Sequence, residues 1–374
     1  MLLHGRRGSQ RKSIYGARDG PDDQDRSRRY GPYRRLCHRW WINRRGEFHL
    51  MGVVEVPGKL FLGGEYAVLQ PNCTALVLAI DRTLMVHCEE AATDRIEIPR
   101  WELDLRDMTA PITEAMLPRE RFVRSLFHAT RELVGAPPTV HLVAEPHKRD
   151  LLRRDLGLGT SSALSVVFAQ AFLPREAPDS TAVLDLALRA HHTVQGGRGS
   201  GADVATAWAG SSIVFRQLGP NRLPLVEAIP TPTRLPLRIL FTGKSQRTAE
   251  AVQRFLDLQT TAPRYLQSFL GRSETIVDSI RKGLRGQTNR LVREIDHAYE
   301  NLTQLATRLH QQDPIPPLFR TAIRMTNSAV KPSGALGGDC LLAVSESNRT
   351  LPQLENVAQA SGYEILEFNP LFRT

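Results

Sequence analysis

The chain has 374 residues, of which 41% are hydrophobic and 24% charged; that is room for two domains of about 100–200 residues each and an ordinary globular composition. Its four cysteines, Cys37, Cys73, Cys88 and Cys340, make neither a CxxC nor a Cys/His metal spacing, which excludes a disulfide scaffold and points to a reducing cytoplasm. The formal net charge is +10, yet residues 1–50 carry 13 Lys/Arg against 5 Asp/Glu and the other 324 residues carry 36 against 34, so a polyanion-binding surface on the body of the protein is excluded.

The first fifty residues are rich in Arg, Gly, Ser, Asp and Tyr and show little hydrophobic periodicity. They cannot bury enough apolar surface to offset their ordering entropy. No apolar stretch follows the basic start, so they do not read as a secretory signal. Residues 1–50 are expected to be a disordered basic extension outside the native fold, of the kind an upstream start codon adds. From Met51 the character changes, and Val53, Val54 and Val56 open a β-rich run.

That run leads into Pro57-Gly58-Lys59 and then Gly63-Gly64-Glu65-Tyr66. Glycines permit close backbone approach to a ligand, and a lysine at a strand end can meet a phosphate as a point charge; an ordinary turn with a solvated lysine would look the same. A second constellation is Gly157-Leu158-Gly159-Thr160-Ser161-Ser162-Ala163, followed by the apolar Leu164–Leu173. It predicts a glycine-rich turn feeding a buried helix capped by Thr160, Ser161 or Ser162. Such a junction aims backbone N–H groups and the positive dipole end at one place, a phosphate cradle. It is not a Walker A loop, because no Gly-Lys-Ser/Thr closes it. No apolar run reaches the roughly 20 residues of a membrane helix.

Residues 179–195 predict a helix with Leu184, Leu188 and His191 on one face, ended by Gly196 and Gly197. A turn, Arg198-Gly199-Ser200-Gly201, then delivers Asp203 to a loop–helix junction. The His191-His192 pair reads as a helix-end feature favoured by the dipole rather than as a metal site. Downstream come a strand at 235–242, helical patterns over 246–329, a third glycine-rich segment from Lys331 to Asp339 entering the apolar Leu341–Val344, a helix at 351–361 and a strand at 363–368.

Taken in order, these constellations resemble the GHMP kinases, the family of galactokinase, homoserine kinase, mevalonate kinase and phosphomevalonate kinase. The resemblance covers residues 53–374, and the ordered set is far more specific than any single loop. Tyr66, where many members have His, and Gln195 to Ala205 are similar to the bacterial-type phosphomevalonate kinase branch. The fold implied is α+β and two-domain: a ribosomal protein S5 domain 2-like N-terminal domain over 51–222 and a ferredoxin-like C-terminal domain over 223–374. The implied activity is transfer of the γ-phosphoryl group of ATP, with Mg²⁺, to a small-molecule acceptor, phosphomevalonate. Lys59 and Asp203 would be the catalytic pair. Gly157, Leu158, Gly159, Thr160, Ser161, Ser162 and Ala163 would bind ATP, with Ser162 or Ser161 helping to hold Mg²⁺. Lys59, Glu65, Tyr66, Arg198, Ser200, Lys244, Ser333, Gly334 and Gly337 would meet the acceptor.

There are departures. Thr160 replaces the more common Ser, and Leu336 stands in the third segment where Gly is frequent. His192 occupies the place, eleven residues before Asp203, where mevalonate kinases carry a Mg²⁺-binding Glu. The expected state is a cytoplasmic monomer or homodimer with no membrane or nucleic-acid partner. The competing readings are a mevalonate or other alcohol kinase, a catalytically silent binding protein of the same fold, and a nucleic-acid binder acting through residues 1–50.

Overall fold

The computed structural model describes residues 37–42, 48–153, 157–173, 180–219, 222–230, 235–243, 248–334, 336 and 340–372. Two sheets organise them. The first runs in the order β1 (Cys37–Ile42), β2 (Phe48–Gly63), β3 (Thr74–Glu90), then β6 (Val140–Ala144), β4 (Arg95–Ile98) and β5 (Leu103–Leu105), while β7 (Ile213–Arg216) and β8 (Leu225–Ala228) continue from the other end of β3. The second, entirely antiparallel, has the order β10 (Ser328–Pro332), β11 (Cys340–Ser345), β9 (Leu237–Phe241), β12 (Glu364–Leu366). A last short strand, β13 (Pro370–Leu371), returns to β3 and ties the end of the described chain to the first sheet.

The strand β1 lies inside the segment read from sequence as a disordered extension. It pairs with β2 from Cys37 opposite Val53 to Ile42 opposite Phe48. The alternation of apolar and polar residues in Cys-His-Arg-Trp-Trp-Ile is weak, so composition hid the strand. Residues 1–36 and 43–47 of that expected extension lie outside the described residues.

The long β3 shows why the core sits where it does. Its first seven residues, Thr74–Ile80, are buried on both faces, and its second half alternates. One face of the buried half is covered by α2 (Thr160–Phe172) and α4 (Ala202–Ala209), which follow α1 (Pro118–Val134) and precede or flank α3 (Ser180–Val194) in a helical layer. The other face takes α6 (Pro263–Gly283), which follows α5 (Thr248–Thr261) and pairs with α7 (Thr288–Arg308). The α6 residues Leu266, Phe269, Val277 and Ile280 and the α7 residues Leu291, Ile295, Leu302 and Leu305 are buried at three- and four-residue spacing, the stripe a core-facing helix needs. The remaining helices α8 (Pro317–Met325) and α9 (Leu351–Ala360) cover the second sheet. One continuous apolar cluster joins both sheets, running from Leu60 and Leu78 through Ile280 to Leu342. Of the described helices, none is long and apolar enough to cross a membrane.

The helix α2 is apolar nearly all round, as its sequence demands, with Phe168 and Phe172 edge-on to Phe127 at 6.0 and 5.1 Å between ring centroids. Pro57 would interrupt a regular ladder. Here β2 changes register against β3 between Pro57 and Gly58 and again between Phe61 and Gly63. These two irregularities bracket Lys59 and re-aim that stretch of strand, a common use of bulges.

Candidate active site

Lys59 and the second glycine segment meet directly. The Lys59 backbone N–H donates to the Leu158 carbonyl at 2.7 Å, and Lys59 Nζ donates to the Gly157 carbonyl at 2.9 Å. The close approach requires Gly58, where a Cβ would land 2.8 Å from Leu151 Cδ1 and 3.0 Å from the Leu158 carbonyl oxygen. Gly159, at φ +99, is itself the N-cap of α2. The hydroxyls of Thr160, Ser161 and Ser162 thus lie in the first turn and not at the cap, correcting the sequence expectation: a left-handed N-cap excludes a β-branched or serine residue there. Ser162 is fully buried and its Oγ donates back to the Gly159 carbonyl at 2.8 Å. That leaves the free N–H groups of the first turn and the positive end of α2 facing the Lys59 stem. Gly159→Ala should abolish phosphate-loop function, because its Cβ would sit 2.9 Å from Lys59 Cγ and 3.0 Å from Ser162 Oγ in a conformation that disfavours any side chain. Binding of a non-hydrolysable ATP analogue, measured calorimetrically, should be lost in this variant.

Asp203 stands in the first turn of α4, half-buried, directly after the Gly201 N-cap. The helix packs on β2, the strand that carries Lys59. Upstream, Gly196 and Gly197 close α3 through bonds from their N–H groups to the Thr193 and His192 carbonyls at 3.2 and 2.9 Å, as the glycine pair predicts. The turn that follows lines a cleft of about 720 Å³ with His191, Gln195, Ser200, Gly201 and Arg222 on its walls. Ser200 Oγ accepts from the Ala202 N–H at 3.2 Å, and Arg198 is exposed. Among the described residues no group of three or more His, Cys, Asp and Glu side chains could hold a metal ion; His191 and His192 stand in the last turn of α3.

The third glycine segment is fastened to β2. Lys331, on β10, is fully buried, and its ammonium donates to the Glu65 carboxylate, to the Phe61 carbonyl at 3.3 Å and to the Pro332 carbonyl at 2.8 Å. Ser333 Oγ accepts from the Phe61 N–H at 2.8 Å. Tyr66 takes a φ of +60, unusual for a residue with a Cβ. It is held there by its hydroxyl, which accepts from the Leu336 N–H at 3.3 Å, and by packing on Phe255 at 5.4 Å. Burial pushes the Tyr66 phenol up to about 12, partly offset by the Leu336 N–H and reinforced by the Glu65 charge, so it stays protonated at any physiological pH. Leu336, which stands where a glycine is frequent, is buried in the same cluster.

The structure therefore separates residues that the sequence reading grouped. Lys59, Gly157, Leu158, Gly159, Thr160, Ser161, Ser162 and Ala163 form one continuous feature. Asp203 and Ser200 lie on the neighbouring turn and helix. Glu65, Tyr66 and Ser333, expected to meet the acceptor, are buried and engaged with Lys331, Leu336 and Phe61; Gly334 follows them half-buried. Lys244 and Gly337 lie outside the described residues. Arg149, upstream of the phosphate loop, is paired with Asp81. Sequence reading missed the role of Lys331, whose signal was a lysine inside the otherwise apolar Ser328–Pro332. It also left His191 without a task, although its spacing with Leu184 and Leu188 put it on the buried face.

No family model matches the chain. A phosphomevalonate kinase of Streptomyces sp. (strain CL190) is 27% identical over 378 residues, spanning 85% of this chain and 96% of that protein. Among solved structures, the Lin0012 protein of Listeria innocua superposes with a TM-score of 0.71 at 24% identity, over 85% of this chain and 97% of its own. The Streptococcus pneumoniae phosphomevalonate kinase in complex with phosphomevalonate and AMPPNP does so at 0.67 and 20%, over 85% and 99%. The L. major mevalonate kinase in complex with R-mevalonate gives 0.65 and 18%, over 87% and 98%. The chain is thus similar in sequence to a phosphomevalonate kinase and shares the α+β fold of these solved kinases, with its three glycine segments in the expected order.

Proposed function

We propose that the protein transfers the γ-phosphoryl group of ATP to 5-phosphomevalonate, yielding 5-diphosphomevalonate and ADP in the mevalonate route to isoprenoids. The observation that carries this reading is Lys59, bonded through both backbone and ammonium to the loop at the N-terminus of α2. Relatives named for phosphomevalonate, one of them solved with phosphomevalonate and AMPPNP, supply the acceptor. The setting is the cytoplasm, and the acting unit is a monomer or homodimer.

In this reading the first-turn N–H groups of α2 hold the ATP phosphates. The Lys59 ammonium, released from the Gly157 carbonyl, neutralises charge on the oxygens of the phosphoryl group in flight. An acceptor phosphate oxygen forms the new bond to the γ-phosphorus while the bond to the β,γ-bridging oxygen breaks and ADP leaves. Ser162 Oγ, which keeps lone pairs while donating to Gly159, and the Asp203 carboxylate would be the oxygen donors for Mg²⁺, which is usually bound by few protein ligands plus substrate phosphates and waters. When bound it would offset phosphate charge.

A phosphate monoester has its second pKa near 6, about one unit below neutral pH. It arrives already deprotonated, so Asp203 orients the acceptor and balances charge rather than removing a proton. Asp203→Asn should then lower kcat by about 10²-fold or more without a new pH dependence. The deciding assay is ADP release by the full chain with ATP and Mg²⁺, offering phosphomevalonate and mevalonate in parallel. Release with phosphomevalonate is expected. Release with mevalonate alone would replace this reading with that of an alcohol kinase and make Asp203 a general base.

A further inference from the structure

His191 is buried to 3% exposure, yet it sits between two loops that carry chemistry. Its Nε2 is 3.3 Å from Ser161 Oγ, in the first turn of α2, and 3.1 Å from the Gln195 side-chain amide nitrogen. An amide nitrogen only donates, so Nε2 is the unprotonated ring nitrogen and accepts from both the amide and the Ser161 hydroxyl. The other end of the Gln195 amide is held against the glycine turn, where a Cβ on Gly199 would lie 2.7 Å from Gln195 Oε1. Ser161 belongs to the phosphate loop, and Gln195 begins the turn that ends at Gly201, the N-cap of the helix bearing Asp203. A buried imidazole thus bridges the two.

We propose that His191 is a positioning residue that couples nucleotide binding to the acceptor side. When phosphates occupy the first turn of α2, the Ser161 hydroxyl is drawn toward them or away from the ring. The change passes through Nε2 to Gln195 and sets the 196–201 turn that presents Asp203. The bonds to the buried imidazole are worth more than isolated surface bonds, because His191 left unpaired carries a desolvation cost. The direction of coupling is reciprocal: whatever orders the turn on nucleotide binding makes nucleotide bind better once the turn is ordered. This inference rests on the reading of Ser161 as part of the ATP loop, but not on the identity of the acceptor.

Hydrogen exchange of the amides in 196–201 tests it in the full chain, with and without Mg²⁺ and AMPPNP. Wild type should show at least about a threefold slowing on AMPPNP binding. Gln195→Ala, at an exposed position, should lose that slowing while keeping the thermal midpoint and still binding AMPPNP. His191→Leu keeps the packing volume and should lose it too, and His191→Gln, which can still accept and donate, should retain it. In steady-state assays with whichever acceptor wild type uses, Gln195→Ala and His191→Leu should raise the acceptor KM several-fold more than the ATP KM. Unchanged slowing in Gln195→Ala and His191→Leu, or no slowing in wild type that binds AMPPNP, would overturn the proposal. Failure of phosphomevalonate as substrate, with this exchange pattern intact, would overturn only the acceptor assignment.

Discussion

Lys59→Met is expected to lower kcat by about 10²- to 10³-fold, a loss of ~2.7–4 kcal/mol of transition-state stabilisation. Methionine keeps the stem that lies against Gly159 and Ser162, so packing of the loop on β2 is preserved. The backbone bond from Lys59 N–H to the Leu158 carbonyl is untouched by the change. What disappears is the ammonium, now held on the Gly157 carbonyl and placed beside the first turn of α2. The effect should fall on kcat far more than on the ATP KM, because neutralisation is needed mainly as charge redistributes during transfer. Lys59→Arg should not rescue, since a planar fork cannot occupy a space shaped for a point charge. A variant with near wild-type kcat and unchanged thermal midpoint would remove Lys59 from the chemistry.

Glu65→Ala is expected to be the most destabilising single change at the site. It leaves the Lys331 ammonium, which has no exposed surface, with the Phe61 and Pro332 carbonyls as its acceptors among the described residues. Breaking one side of a buried pair typically costs about 3–5 kcal/mol. In a chain of this size that corresponds to a fall in thermal midpoint of roughly 4–6 °C. Removing both charges, Glu65→Leu with Lys331→Met, should recover a large part of the loss, since well-packed apolar replacements of buried pairs are often close to neutral. The comparison is read by thermal or urea unfolding. Equal loss in the single and double variants would show that the pair is not what fastens the third segment to β2. Activity should follow stability in the single variant, because Ser333 and Leu336 are positioned by the same attachment.

Local pattern carried much of this architecture. The all-round apolar run after Ser162 announced a buried helix, and Gly196-Gly197 announced the end of α3. The order of the three glycine segments announced the fold. What remained hidden is long-range. Glu65 and Lys331 are 266 positions apart, and nothing in either neighbourhood says that a carboxylate placed among glycines is an internal partner and not a substrate ligand. The same holds for Tyr66, whose hydroxyl meets a backbone N–H 270 positions away. Charge and polarity invited a binding role for both; the structure adds that both are buried at the joint between the two sheets. The Ser162 hydroxyl was read as a candidate cap; its place in the first turn and its return bond to Gly159 depend on the left-handed N-cap at Gly159. The strand β1 was masked by the basic composition around it.

The central claim is that the γ-phosphoryl group ends on a phosphate oxygen of the acceptor. Phosphorus NMR of the reaction of the full chain with ATP, Mg²⁺ and phosphomevalonate reads this directly. The account predicts that the acceptor's single phosphomonoester signal gives way to a coupled pair of diphosphate signals while ATP is converted to ADP in equal amount. A second, uncoupled phosphomonoester signal on the acceptor, or inorganic phosphate alone, would contradict it.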